Sequence, residues 1–74
     1  MTKNAIGLIE LTSIAAGYQV SDAMLKAADV ELILSRSICS GKYMVLIGGD
    51  VAAVSASVQA GGVAGRGSII DVFI

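Results

Sequence analysis

Ser37-Ile38-Cys39-Ser40-Gly41-Lys42 separates two runs of β-branched and large aliphatic residues near the middle of the chain. One run covers residues 30–38, with Leu32, Ile33 and Leu34 at its middle. The other covers residues 43–48. Each reads as a strand, and two strands so close in sequence pair as a hairpin across a short turn. Gly41 supplies the unusual backbone angle that the turn requires. The reading therefore places Cys39, the only cysteine, at a hairpin tip.

Helical spacing lies on either side of this hairpin. Upstream, residues 14–28 carry one apolar stripe of Ile14, Tyr18, Leu25 and Ala28, and a second of the small residues Ala16, Val20, Ala23 and Ala27. Thr12 or Ser13 is placed to cap this helix, because either hydroxyl can accept an N–H of the first turn. Gly17 weakens the helix by roughly 1 kcal/mol relative to alanine. Asp22 and Lys26 stand four apart, the spacing of an ion pair on one helix face. Downstream, Asp50 is a good cap for a helix over residues 51–60. Val51, Val54 and Val58 form its expected buried stripe, and Gly61-Gly62 its end.

Strands complete both ends. Residues 5–11 alternate Ile6 and Leu8 on one side with Gly7, Ile9 and Leu11 on the other. Both sides are apolar apart from Glu10, which suits an inner strand covered on both faces. After a glycine-rich link over residues 63–67, residues 68–74 read as a last strand. The order β-α-β-β-α-β is the ferredoxin-like arrangement, a four-stranded antiparallel sheet with two helices on one face, an α+β fold.

The composition limits what such a domain can do. At 74 residues there is room for one domain, and one of this size buries only about 60% of the surface its unfolded chain exposes. Yet 55% of residues are hydrophobic, and nine glycines come on top of that. A small core cannot hide so much apolar surface, so part of it is expected to face other chains. No apolar run approaches the about 20 residues of a membrane span. The N-terminal apolar stretch is broken by Glu10, so no signal peptide is expected. A net charge of −1 and the lack of any basic stripe speak against nucleic acid as a partner. A single cysteine rules out an intrachain disulfide framework and suits a reducing compartment.

Catalytic groups are scarce. The chain has no histidine to activate a nucleophile, and its six carboxylates are scattered over different elements. The run Gly61-Gly62-Val63-Ala64-Gly65-Arg66-Gly67 follows a helix and enters a strand, the reverse of a dinucleotide fingerprint. Gly41-Lys42 is followed by Tyr43 where a phosphate loop needs Ser or Thr. The expectation is a protein that is not an enzyme. Cys39 has two readings. It is a small residue tolerated in a turn, or, beside a three-fold axis, three copies of it converge as thiolates and leave a cluster one position for a non-protein ligand. Lys26 and Arg66 are each either solvated or in contact with a neighbouring chain.

Several stretches carry a likeness to a known family. Ala5-Ile6-Gly7-Leu8-Ile9-Glu10, Asp22-Ala23-Met24-Leu25-Lys26-Ala27-Ala28 and Gly48-Gly49-Asp50-Val51-Ala52-Ala53-Val54 resemble, in this order, the motifs of bacterial microcompartment (BMC) shell domains. The likeness covers nearly the whole chain. It implies one shell domain over residues 1–74 in a cytoplasmic microcompartment shell, with no membrane and no nucleic acid as partner. It implies homo-oligomeric six-sided tiles, hexamers or trimer-derived rings, that pack with other shell proteins. It further implies a pore lined by Ile38, Cys39, Ser40 and Gly41, and a tile-edge contact at Lys26.

Within the family, Cys39 followed by Gly41-Lys42, together with Glu10-Leu11-Thr12-Ser13-Ile14-Ala15, resembles the first domain of the tandem-domain, iron–sulfur-binding shell proteins of propanediol-utilisation compartments. That likeness implies a 4Fe–4S cluster held by one Cys39 per chain, and a chain that is part of a tandem parent. As a single domain in a six-membered ring, the chain would bring six copies of Cys39 to the axis. A different function class is a small ligand-binding regulator of the same fold, holding its effector between subunits.

Overall fold

The structure is a computed structural model, and it describes residues 4–38 and 41–74. Its elements are β1 (Ala5–Leu11), α1 (Ile14–Ala27), β2 (Glu31–Ser37), β3 (Tyr43–Gly49), α2 (Val51–Ala64) and β4 (Ile69–Phe73). They form one four-stranded sheet of order β2-β3-β1-β4 in which every neighbouring pair is antiparallel. This is the ferredoxin-like arrangement expected from the pattern.

Alternation along the inner strands decides where the core lies. Ile9 and Leu11 of β1, with Tyr43, Val45 and Ile47 of β3, point to one face and are buried beneath Val20 and Met24 of α1 and Val54 and Val58 of α2. The other face of the same strands is left open. Ile6 is 57% exposed, and Leu8, Met44 and Leu46 are only half-buried. The expectation that β1 is covered on both sides is thus corrected. It is an inner strand, but both helices pack on one face.

Ser13 caps α1, its Oγ accepting from the Ala16 N–H at 3.1 Å. The buried face of α1 is Gly17, Val20 and Met24. Of the two expected stripes, the one with Ile14, Tyr18 and Leu25 faces outward. Asp50 caps α2 by accepting from the Ala53 N–H at 2.8 Å.

Three expectations for α2 need correction. The helix runs through Gly61-Gly62 to Ala64 and is closed by Gly65, whose N–H donates to the Gly61 carbonyl at 2.9 Å. Its buried residues are Val54, Ser57, Val58 and Gly61, while Val51 is exposed. The link to β4 consequently starts at Gly65, and Val63 and Ala64 belong to the helix. The physical reason is packing. A Cβ at Gly61 would lie 2.6 Å from Ile9 Cδ1 and 2.7 Å from Met24 Cγ, so this glycine is a contact surface and not a helix stop. Ser57 seals the same helix pair by donating to the Met24 carbonyl at 2.7 Å.

Candidate functional site at the hairpin turn

The β2–β3 register runs from Glu31↔Gly48 to Ser37↔Tyr43 and contains a bulge between Leu32 and Leu34. Beyond Ser37 the Ile38 N–H donates to the Lys42 carbonyl at 3.1 Å, which closes the hairpin. Gly41 has φ +72°, the left-handed angle expected of it. A side chain there would meet nothing within 4 Å, so backbone angle alone calls for glycine. Ile38, Gly41 and Lys42 are exposed. Cys39 and Ser40, the other two expected pore residues, lie outside the described residues.

The base of this turn is anchored by groups that sequence reasoning missed. The Tyr43 ring lies against Gly17 of α1, where even a methyl group would overlap it. Its hydroxyl is 2.6 Å from Ser35 Oγ, and Ser35 Oγ is 3.0 Å from Ser21 Oγ on α1. Tyr18 meets the Tyr43 ring edge-on, with centroids 5.8 Å apart and planes at 70°. Three elements are thereby joined directly beneath the turn. The signal available in the sequence was Gly17 itself, a costly residue for a helix interior. Its partner, 26 positions away, could not be read from spacing.

Lys26 sits far from the turn. It is in the last turn of α1, about 20 Å along the helix axis from Ser13 at 1.5 Å per residue. Its Nζ is 2.9 Å from Asp22 Oδ2, the expected i,i+4 pair, and both side chains are largely exposed. Such a pair contributes about 0.3–0.5 kcal/mol, which leaves Lys26 available for other contacts. Among the described residues no three His, Cys, Asp or Glu side chains gather as a metal site, and no helix is long and apolar enough to cross a membrane.

The pattern of the BMC domain matches residues 5–74. The bacterial microcompartment shell protein PduT of Citrobacter freundii is 53% identical over 57 residues, which cover 77% of this chain and 31% of that protein. The shell protein PduA of Citrobacter freundii is 39% identical over 66 residues, covering 89% of this chain and 71% of that protein. The carboxysome shell protein CcmK2 of Synechococcus elongatus is 46% identical over 57 residues, 77% of this chain and 56% of that protein. The crystal structure of a microcompartment protein from Desulfitobacterium hafniense DCB superposes with a TM-score of 0.90 at 54% identity, covering 92% of this chain and 38% of that one.

The chain thus spans under a third of its PduT relative's length and under two fifths of the Desulfitobacterium chain. The relatives are shell proteins and not enzymes, as expected, and two of them come from the propanediol-type group that the sequence resembles. With the pattern matched from residue 5 to residue 74 and the fold shared, the chain belongs to the BMC domain family.

Proposed function

We propose that this chain is a structural shell protein of a bacterial microcompartment, located in that shell in the cytoplasm. Copies assemble into six-sided tiles around the β2–β3 turn, which forms the rim of a central pore lined by Ile38, Cys39, Ser40 and Gly41. The observation that carries this reading is the 53% identity to a shell protein over 77% of the chain. The open apolar sheet face supports it, because a domain meant to stay alone rarely exposes so much. Lys26, at the end of α1 remote from the turn, suits the outer edge of such a tile, in contact with the next one. The regulator reading draws no support from relatives that are all shell proteins.

The donor chemistry of the turn fits an iron–sulfur cluster only through symmetry. One chain offers one thiol, and no other cysteine exists to complete a set. Three copies of Cys39 would supply three thiolates, leaving one iron of a 4Fe–4S cluster to a non-protein ligand. The exposed Lys42 cation beside the turn favours the anionic cluster. Such a cluster would supply one-electron transfer across the shell.

Both halves of the proposal are tested on one preparation. Electron microscopy of the concentrated protein should show six-sided particles or sheets. Sedimentation giving monomer alone at high concentration, without sheets, would overturn the shell reading. Anaerobic reconstitution with iron and sulfide should then give a cluster signal in electron paramagnetic resonance that Cys39→Ser lacks. Identical spectra for the two proteins would remove the cluster and leave the shell.

A further inference from the structure

The two strands that carry the turn are held unequally. β3 brings Tyr43, Val45 and Ile47 into the apolar core. β2 is an edge strand, and among the described residues it brings none. The turn-proximal half of β2 has Ser35 in register with Val45 and Ser37 in register with Tyr43, so two small polar residues stand on the side facing the helices. The turn itself adds little hold. Ile38 and Lys42 are exposed, and a Cβ at Gly41 would meet nothing within 4 Å. A segment with so few buried apolar contacts opens by local fluctuation unless polar contacts fix it.

Three hydroxyls supply such contacts. Tyr43 Oη lies 2.6 Å from Ser35 Oγ, and Ser35 Oγ lies 3.0 Å from Ser21 Oγ. The chain starts at the residue that ends the turn, runs diagonally across the hairpin to the edge strand, and finishes on α1. Both of its ends are fixed. The Tyr43 ring is 5% exposed and lies against Gly17, and Ser21 is flanked on α1 by the fully buried Val20 and Met24. Ser35 joins these fixed ends and belongs to the strand that lacks a core anchor. Linked hydroxyls polarise one another, so losing the contact at one end weakens the contact at the other.

We infer that Ser21 and Ser35 are positioning residues for the turn and act through the Tyr43 hydroxyl. They tie the β2 arm of the hairpin to α1, so the freedom of the turn is set from a helix that the turn itself does not touch through Ser21. The bond that reports this is the one from the Ile38 N–H to the Lys42 carbonyl, which closes the turn. Where the turn is called a pore rim, the inference rests on the proposed function and deepens it. It then names the residues that keep the rim in one conformation.

The test is amide hydrogen exchange of the full chain, read residue by residue. Ser21→Ala is the first variant, because alanine is the better helix former and offsets part of the lost contact, so the Tm should shift little. The Ile38 amide should nevertheless exchange about five- to tenfold faster, the scale of one lost hydrogen bond. A role confined to global stability would leave this locally opening amide unchanged and speed the amides of β1 and β3 instead. That outcome, or equal acceleration everywhere, would overturn the inference. Ser35→Ala should loosen the turn as Ser21→Ala does, while Ser35→Thr, which keeps a hydroxyl on the strand, should exchange like the wild type. Equal exchange in these two would count against the relay. Tyr43→Phe combined with Ser21→Ala should add little to either alone, and fully additive effects would mean separate anchors and overturn it. Wild-type protein that forms no ring, yet shows this exchange pattern, would remove the pore reading and leave the turn held from α1.

Discussion

At Gly17 two effects of opposite sign compete, and their sizes decide the outcome. In an isolated helix, replacing glycine by alanine is worth about 1 kcal/mol in favour of alanine. Here the new methyl group would lie 2.7 Å from Tyr43 Cε1 and closer still to Cδ1 and Cγ. The ring cannot retreat without breaking the hydroxyl contacts to Ser35 and through it to Ser21. Overpacking of this kind costs about 1–3 kcal/mol, and each lost hydrogen bond about 1 kcal/mol more. Gly17→Ala is therefore expected to destabilise the domain, with a lower Tm and a weaker near-ultraviolet tyrosine signal. A Tm at or above that of the wild type would show that the ring does not occupy this contact. The same residue marks a limit of sequence reading. Its position in a helix was legible as a cost, while the reason for that cost is an aromatic ring on a distant strand.

The helices and strands were legible to differing degrees, and the differences follow from what defines each boundary. β1 and the two helix starts depend on local signals, alternation and a capping side chain, and they stand where the sequence places them. The end of α2 depends on a tertiary contact. Gly61-Gly62 looks like a stop because glycine usually closes helices, yet Gly61 faces Ile9 and Met24 while nothing lies within 4 Å of a Cβ at Gly62. Adjacent glycines in one helix thus have opposite roles, and alanine separates them. Gly62→Ala should stabilise the domain by up to about 1 kcal/mol, which raises the Tm by about 4–8 °C in a domain of this size. Gly61→Ala should lower the Tm, because the displaced Ile9 and Met24 side chains are both fully buried. If both substitutions moved the Tm in the same direction, α2 would not pack through Gly61.

For the whole molecule, the composition indicated correctly that one chain cannot bury all its apolar side chains, but not where the excess would be. Strand alternation showed apolar residues on both sides of β1, but the inference of two covered faces was wrong, because both helices pack on one face. Part of the excess lies on the open face, where Ile6 and Phe73 are more than half exposed. The hairpin was legible because it is local, whereas any ring of copies around its turn is a property of an assembly and cannot be read from one chain. This has a thermodynamic consequence. If copies bind the folded state and not the unfolded chain, each tenfold rise in concentration adds up to about 1.4 kcal/mol per subunit contact. The Tm of the wild type should then rise steadily across a hundredfold concentration series, in parallel with the ring mass. A concentration-independent Tm in the wild type, at a mass of 7.5 kDa, would mean that the open face needs no second copy.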